Sequence, residues 1–221
     1  MLYVVATPIG NLDDITVRAL SVLREVDIVA SEDTRETRKL LTHYGIHKPL
    51  VSYYRECEES RSVYLVGLMK EGRTVALVSD RGTPGISDPA HALVRRAREE
   101  GITVVAVPGP SALTAALSVS GFPVRSFGFY GFPPRKISQA RRFFEDLLHK
   151  EETIVFFESV HRFHKTCRIL KELAPDRRIV VCRELTKKFE EISVGTAAEL
   201  CGRFEGKKIK GEFVIIMEEK E

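Results

Sequence analysis

A chain of 221 residues is long enough for one large domain or two small ones, and with 43% hydrophobic and 29% charged residues it has the make-up of a globular protein in water. No apolar run approaches the roughly 20 residues of a membrane span, and the start, MLYVVATPIGN, lacks the basic region and cleavage site of a secretory signal, so no membrane partner and a cytoplasmic location are expected. The net charge of +3 selects no partner by itself, and four scattered cysteines, Cys57, Cys167, Cys182 and Cys201, form no CxxC pair, which points away from a zinc site or a disulfide framework and gives no metal ligands.

In chain order, short apolar runs alternate with amphipathic ones. Leu2–Ala6 is expected as a strand, followed by a helix over 13–25, a strand at Asp27–Ser31 and a helix over Thr34–Tyr44 closed by Gly45. A short strand at Leu50–Tyr53, a helix over 58–71, a strand at Thr74–Ser79, a helix over 90–100 and a strand at Thr103–Val107 follow. Ser111–Ser120 has the pattern of a small-residue helix ended by Gly121. FPVRSFGFYGFPPRK then has the composition of a linker. Beyond it come helices over 138–149, 160–173 and 196–204, and strands at 153–157, 178–182 and 212–217. The alternation predicts an α/β protein with largely parallel sheet. The change of texture places a boundary within 115–125, giving an N-terminal α/β domain over 1–118 and a C-terminal one over 119–221.

Three loops follow strand ends and pair Gly with Pro: ATPIGNL at 6–12, SDRGTPGISD at 79–88 and VPGPSAL at 107–113. Glycine lets a ligand approach the backbone closely, and proline lowers the entropy lost on ordering the turn. None is a phosphate loop, since neither GxxxxGK[ST] nor a GxGxxG opening a helix is present. Such turns suit a small ligand held by main-chain hydrogen bonds. Basic clusters at Arg35/Arg38/Lys39, Arg135/Lys136, Arg141/Arg142, Lys187/Lys188 and Lys207/Lys208/Lys210 are either solvated ends of elements or a nucleic-acid face.

TPIGNL at 7–12, EDTRETRKLL at 32–41, ALVSDRGTPGISDP at 76–89, PGPSAL at 108–113 and RELTKKFEE at 183–191 together resemble the small-subunit ribosomal-RNA methyltransferase branch of the tetrapyrrole (corrin/porphyrin) methylase superfamily. The resemblance runs from Leu2 to the GEFVIIM segment at 211–217. It implies two α/β domains of the tetrapyrrole methylase type with the ligand cleft between them, and a homodimer. It also implies S-adenosyl-L-methionine as methyl donor and the ribose 2′-hydroxyl of a decoding-centre cytidine in 16S rRNA as acceptor, within the small ribosomal subunit. By position it places Pro8, Asp80, Gly82, Thr83, Pro84, Gly85, Ile86, Ser87, Asp88, Ser111 and Ala112 around the donor, with Phe157, Leu185, Thr186 and Phe213 closing over the adenosine. The sequence departs from the family pattern at Arg81, at Val160 and in SYYRECEE (52–59), which lacks two histidines, and it stops soon after the last apolar run, where many relatives continue.

A ribose hydroxyl is a poor nucleophile, so a neighbouring group must take its proton or stabilise the developing alkoxide. Arg35, Glu158 and Lys187 are the catalytic candidates among the polar motif residues, with Asp33, His161, Arg162 and Glu184 beside them. Arg35 and Lys187 could stabilise an oxyanion or hold phosphate, and Glu158 or neutral His161 could accept a proton. Arg38, Lys39, Arg135, Lys136, Arg141 and Arg142 are candidate RNA phosphate contacts. Phe127, Phe129, Tyr130 and Phe132 either stack on bases or pack inside the protein. The competing readings are methylation of a tetrapyrrole carbon or a modified protein histidine, and a non-catalytic RNA-binding protein that keeps the fold.

Overall fold

The structure is a computed structural model that describes residues 1–220. The chain divides into two compact units, Met1–Ser111 and the residues from Ala112 onward. The division falls ahead of the small-residue helix, whereas composition placed it within 115–125.

The first unit is built on five strands, β1 (Leu2–Val5), β2 (Ile28–Ser31), β3 (Leu50–Ser52), β4 (Val75–Val78) and β5 (Val104–Val107). They run parallel in the order β3-β2-β4-β1-β5. Four helices connect them: α1 (Val17–Glu25), α2 (Thr34–His43), α3 (Glu58–Lys70) and α4 (His91–Glu99). Side chains alternate across a strand, so one face, with Leu2, Val75 and Leu77, packs on Leu65, Val66 and Leu93 of α3 and α4. The other, with Val5, Ala76, Val78 and Val107, packs on Ala19, Leu23 and Leu41 of α1 and α2. β4 is buried on both sides along its whole length, which is why its sequence is an unbroken apolar run. Parallel pairing brings the carboxyl ends of all five strands to one edge, where the Gly-Pro loops emerge. The helix expected over 13–25 begins at Val17. Thr16 caps it by accepting the Ala19 N–H at 3.0 Å, and Leu12–Asp14 is a separate 3-10 turn capped by Asn11.

The second unit opens with α5 (Ala112–Val119) and β6 (Phe127–Phe129), then α6 (Ile137–Leu148), β7 (Thr153–Ser159), α7 (Val160–Leu173), β8 (Arg178–Arg183), β9 (Glu191–Thr196), α8 (Ala197–Phe204) and β10 (Glu212–Met217). Its sheet has the order β6-β7-β10-β8-β9; only β6 and β7 pair in parallel, and the other neighbours are antiparallel. Phe144, Phe163, Leu170, Leu200 and Phe204 of α6, α7 and α8 cover one face, against Ile154, Phe156, Ile179, Val181, Phe213 and Ile215. α5 packs against β10.

Two expectations are corrected here. The segment taken for a linker contains β6, an edge strand whose Phe127 and Phe129 register with Thr153 and Val155 of β7. EISVGT, which lies outside the elements expected from the sequence, is β9, paired along its length with β8. The aromatic residues of the supposed linker pack within this unit: Phe129 and Phe132 both meet Phe157 edge-on, and Tyr130 meets Phe143.

Candidate functional site

At the carboxyl edge of the first sheet, hydrogen bonds join the loops after β1, β4 and β5. The Thr7 N–H donates to the Gly82 carbonyl at 2.8 Å and the Gly82 N–H returns to the Thr7 carbonyl at 3.0 Å. The buried Thr7 hydroxyl donates to the Ser79 carbonyl at 3.1 Å, and the Ser79 hydroxyl to the Gly82 carbonyl at 3.1 Å. Thr83 Oγ1 donates to the Pro110 carbonyl at 3.1 Å, tying in the third loop. Gly82 and Gly85 take left-handed backbone with φ of +80° and +86°. A Cβ at Gly82 would lie 3.3 Å from Ile9 Cγ2, and one at Gly109 would lie 3.1 Å from Ala6 Cβ. The glycines thus satisfy both conformation and close packing of the loops. Pro8, Gly82 and Pro84 are buried, Thr83, Ser87, Asp88 and Ser111 are half-buried, and Gly85 and Ile86 are exposed. The structure therefore gathers the predicted residues of all three loops on one rim.

Charge at this rim is unbalanced. Asp33 N–H donates to Asp80 Oδ1 at 2.8 Å, linking the ends of β2 and β4. Burial is the main force raising the carboxyl pKa of Asp80, with the negative charges of Asp33 and Glu36 adding to it. Burial likewise raises Asp88, helped by Asp80, and raises Glu32, helped by Asp88 and Asp80. Arg55 opposes Glu32 and Asp88 electrostatically. Glu32 and Arg55 were not singled out from sequence; the acidic residue directly after an apolar strand was the available signal for Glu32. By contrast Asp33 is held down to about 2 by its hydrogen bonds from Arg35. Arg35 grips Asp33 through Nε and Nη2, the latter at 2.7 Å, while its side chain stays 83% exposed.

In the second unit, the β8–β9 connection holds two non-glycine residues in left-handed conformation, Glu184 (φ 53°) and Thr186 (φ 64°), with Leu185 buried between them. Such backbone persists only where surroundings enforce it, and it marks functional loops. Lys187 does part of the enforcing: its Nζ is 2.7 Å from Glu184 Oε1 and 2.8 Å from Glu212 Oε2, and its side chain is 19% exposed. Gly211, at φ +110°, leaves room for the Glu184 side chain, which accepts the Glu212 N–H at 3.1 Å.

Phe213 is 2% exposed and its ring stacks on Phe163 at 4.2 Å inside the helix-side core. The half-buried Phe157 instead meets Phe129 and Phe132. Glu158 is also buried. Oε1 accepts the Ser159 N–H at 2.7 Å and lies 3.2 Å from Arg162 Nε, and Oε2 accepts the Thr166 hydroxyl. A carboxylate so engaged anchors the first turns of α7. Of the basic candidates, Lys39 pairs with Glu36, and Arg141 pairs with Glu145 and Glu172. Arg38, Arg135, Lys136 and Arg142 are exposed. Among the described residues no group of three His, Cys, Asp or Glu is placed to hold a metal ion.

Residues 1–201 match the family described as Tetrapyrrole (Corrin/Porphyrin) Methylases. The chain belongs to that family. Within it, the chain is similar over its length to proteins named Ribosomal RNA small subunit methyltransferase I. It is 47% identical to the one from Thermotoga maritima over 220 residues, covering 100% of this chain and 99% of that protein. It is 47% identical to the one from Leptospira biflexa, covering 98% of this chain and 90% of that protein, and 44% identical to the one from Bacillus subtilis, covering 99% and 75%. Among solved structures, diphthine synthase superposes with a TM-score of 0.75 at 17% identity, covering 99% of this chain and 90% of that one. Uroporphyrin-III-C-methyltransferase from Thermus thermophilus superposes at 0.68 with 22% identity, covering 97% and 93%. At these identities the structural likeness establishes the fold: two α/β sheets of the tetrapyrrole methylase type.

Proposed function

We propose that this protein transfers a methyl group from S-adenosyl-L-methionine to 16S rRNA, at the ribose 2′-hydroxyl of a decoding-centre cytidine, and that it acts in the cytoplasm as a homodimer on the small ribosomal subunit. The observation that carries the acceptor is the similarity of 44–47% over nearly the whole chain to relatives named for ribosomal RNA small subunit methylation. The donor is supported by the rim of the first sheet. Three carboxylates, Glu32, Asp80 and Asp88, are crowded together there, so a ligand carrying ammonium and sulfonium charge relieves their repulsion. When bound, the donor supplies a methyl on a positively charged sulfur that leaves as a neutral thioether.

The chain's own residues bind, orient and exclude water. Gly82, Thr83, Pro84, Gly85, Ile86 and Ser87 would offer main-chain groups to the donor, while Asp80 and Asp88 would offset its charge. Pro8 and Ser111 would complete its contacts from the neighbouring loops of the same unit. Arg35 and Lys187 neutralise phosphate or developing alkoxide charge; RNA must displace Asp33 from Arg35, or Glu184 and Glu212 from Lys187, to recruit them. Arg38, Lys39, Arg135, Lys136, Arg141 and Arg142 hold the backbone of the RNA, whose target nucleotide leaves its stack to meet the methyl.

The test is a labelled-methyl transfer assay offering small ribosomal subunits, a tetrapyrrole and the modified-histidine protein substrate side by side. Label entering RNA alone is expected. Label entering either other acceptor, with RNA blank, overturns the acceptor while leaving the donor site standing.

A further inference from the structure

Along α7, His164, Arg168, Lys171 and Glu172 recur at helical spacing and share one face. The turn after α8 comes up beside them, with Gly206 in left-handed conformation at φ +70°. Its Lys207 carbonyl lies 3.0 Å from His164 Nε2. A carbonyl only accepts, so this nitrogen carries the proton and the contact clips the turn to the helix. The result is an open groove of about 750 Å³ lined by His164, Arg168, Lys171, Glu172, Glu205, Gly206, Lys207 and Lys208. Both carboxylates in it are already engaged. Glu172 accepts from Arg141 at 2.7 Å, and Glu205 lies 3.5 Å from Lys171. Arg168, Lys207 and Lys208 are exposed and have no ion pair among the described residues. Three unpaired cations therefore line a concave surface whose two carboxylates are matched, Glu172 by Arg141 outside the groove and Glu205 by Lys171 within it.

We propose that this groove is a second RNA-binding surface, gripping a stretch of substrate backbone through its phosphates, separate from the residues assigned to donor and acceptor. The proposal rests on the RNA-substrate reading. An open groove, with cations contributed by both α7 and the turn after α8 and no Phe, Tyr or Trp among its lining residues, suits a polyanion's backbone better than a run of stacked bases. Its part is affinity and placement of the ribosomal particle, not chemistry at the methyl.

The experiment measures binding of small ribosomal subunits across a salt series, with saturating S-adenosylmethionine. It compares the wild-type chain with Arg168→Glu/Lys207→Glu/Lys208→Glu, and with a control of equal charge change on exposed cations elsewhere, Arg61→Glu/Arg125→Glu/Lys150→Glu. The proposal expects the groove variant to lose about tenfold or more in affinity, with the slope of log K against log salt falling by about 2 to 3, while the control falls much less. Donor affinity and the rate at saturating subunits stay at wild-type values. The glutamine set, Arg168→Gln/Lys207→Gln/Lys208→Gln, repeats the loss in smaller measure and guards against misfolding. Equal losses in groove variant and control, or none in either, overturn the groove and leave the RNA reading intact. Failure of the wild-type chain to bind subunits overturns both. Binding to anionic lipid vesicles that the groove variant loses, with subunit binding retained, assigns the groove to a membrane surface and also overturns the proposal.

Discussion

Asp33 and Asp80 are joined by one hydrogen bond, yet their environments push them in opposite directions. Asp33 sits at about 2, below its ordinary 3.8, because Arg35 bonds its charged form. The folded state therefore gains from its ionisation, fully above the unfolded value, and loses that gain as pH falls toward 2. Asp80 lies above its ordinary 3.8, chiefly through burial, so the folded state binds its proton more tightly than the unfolded one. Its contribution turns unfavourable as pH rises past the unfolded value. Asp33→Asn should accordingly lower the melting temperature at pH 7, and Asp80→Asn should raise it while weakening donor binding. Melting curves from pH 3 to 8 with a donor titration check this, and a destabilised Asp80→Asn would contradict it. Gly82→Ala is expected to cost about 1 kcal/mol in a urea melt, since alanine is strained at φ +80° and its methyl meets Ile9. It should cost donor affinity as well.

At the scale of elements, the β8–β9 connection is bent into shape by ion pairs and a glycine rather than by local preference. Thr186→Gly should relieve left-handed strain and stabilise the fold by up to about 1 kcal/mol, while turnover falls because Leu185 and Lys187 are no longer held. Denaturant melts and initial rates on one preparation separate the two effects. Glu158→Ala should cost about 2 kcal/mol by orphaning Thr166 and freeing Arg162; partial exposure of Arg162 keeps the loss below that of a fully buried pair. The sequence announced elements whose signals are local. β4 is a continuous apolar run, and α8 opens on Thr196 with Glu199 three residues on, each capping the other. β6 was hidden because a three-residue edge strand, FGF, carries no period to detect and sits among glycines and prolines. β9 was hidden because its alternation is inverted: the apolar Ile192 and Val194 are the exposed positions and Ser193 is the buried one, so the strand shows no core-facing apolar set.

At the scale of the whole molecule, glycine, proline and acid placement made the three-loop rim legible, because those residues answer to local backbone demands. Phe213 and Glu158 were not legible. Which face of β10 a phenylalanine takes, and whether a strand-end carboxylate meets solvent or Thr166, is decided by register across β7, β8 and β10. RNA binding belongs to this scale too. Arg135→Glu/Lys136→Glu should weaken binding of small subunits and flatten its salt dependence without changing donor affinity; unchanged binding would remove that surface from the RNA face.

The most direct measurement takes small ribosomal subunits from cells lacking this protein, transfers labelled methyl to them from S-adenosylmethionine, digests the RNA and maps the labelled nucleotide. A single 2′-O-methylcytidine in the decoding centre of 16S rRNA is the predicted result. Label on a base, label at another site, or donor bound without any transfer to RNA would contradict it.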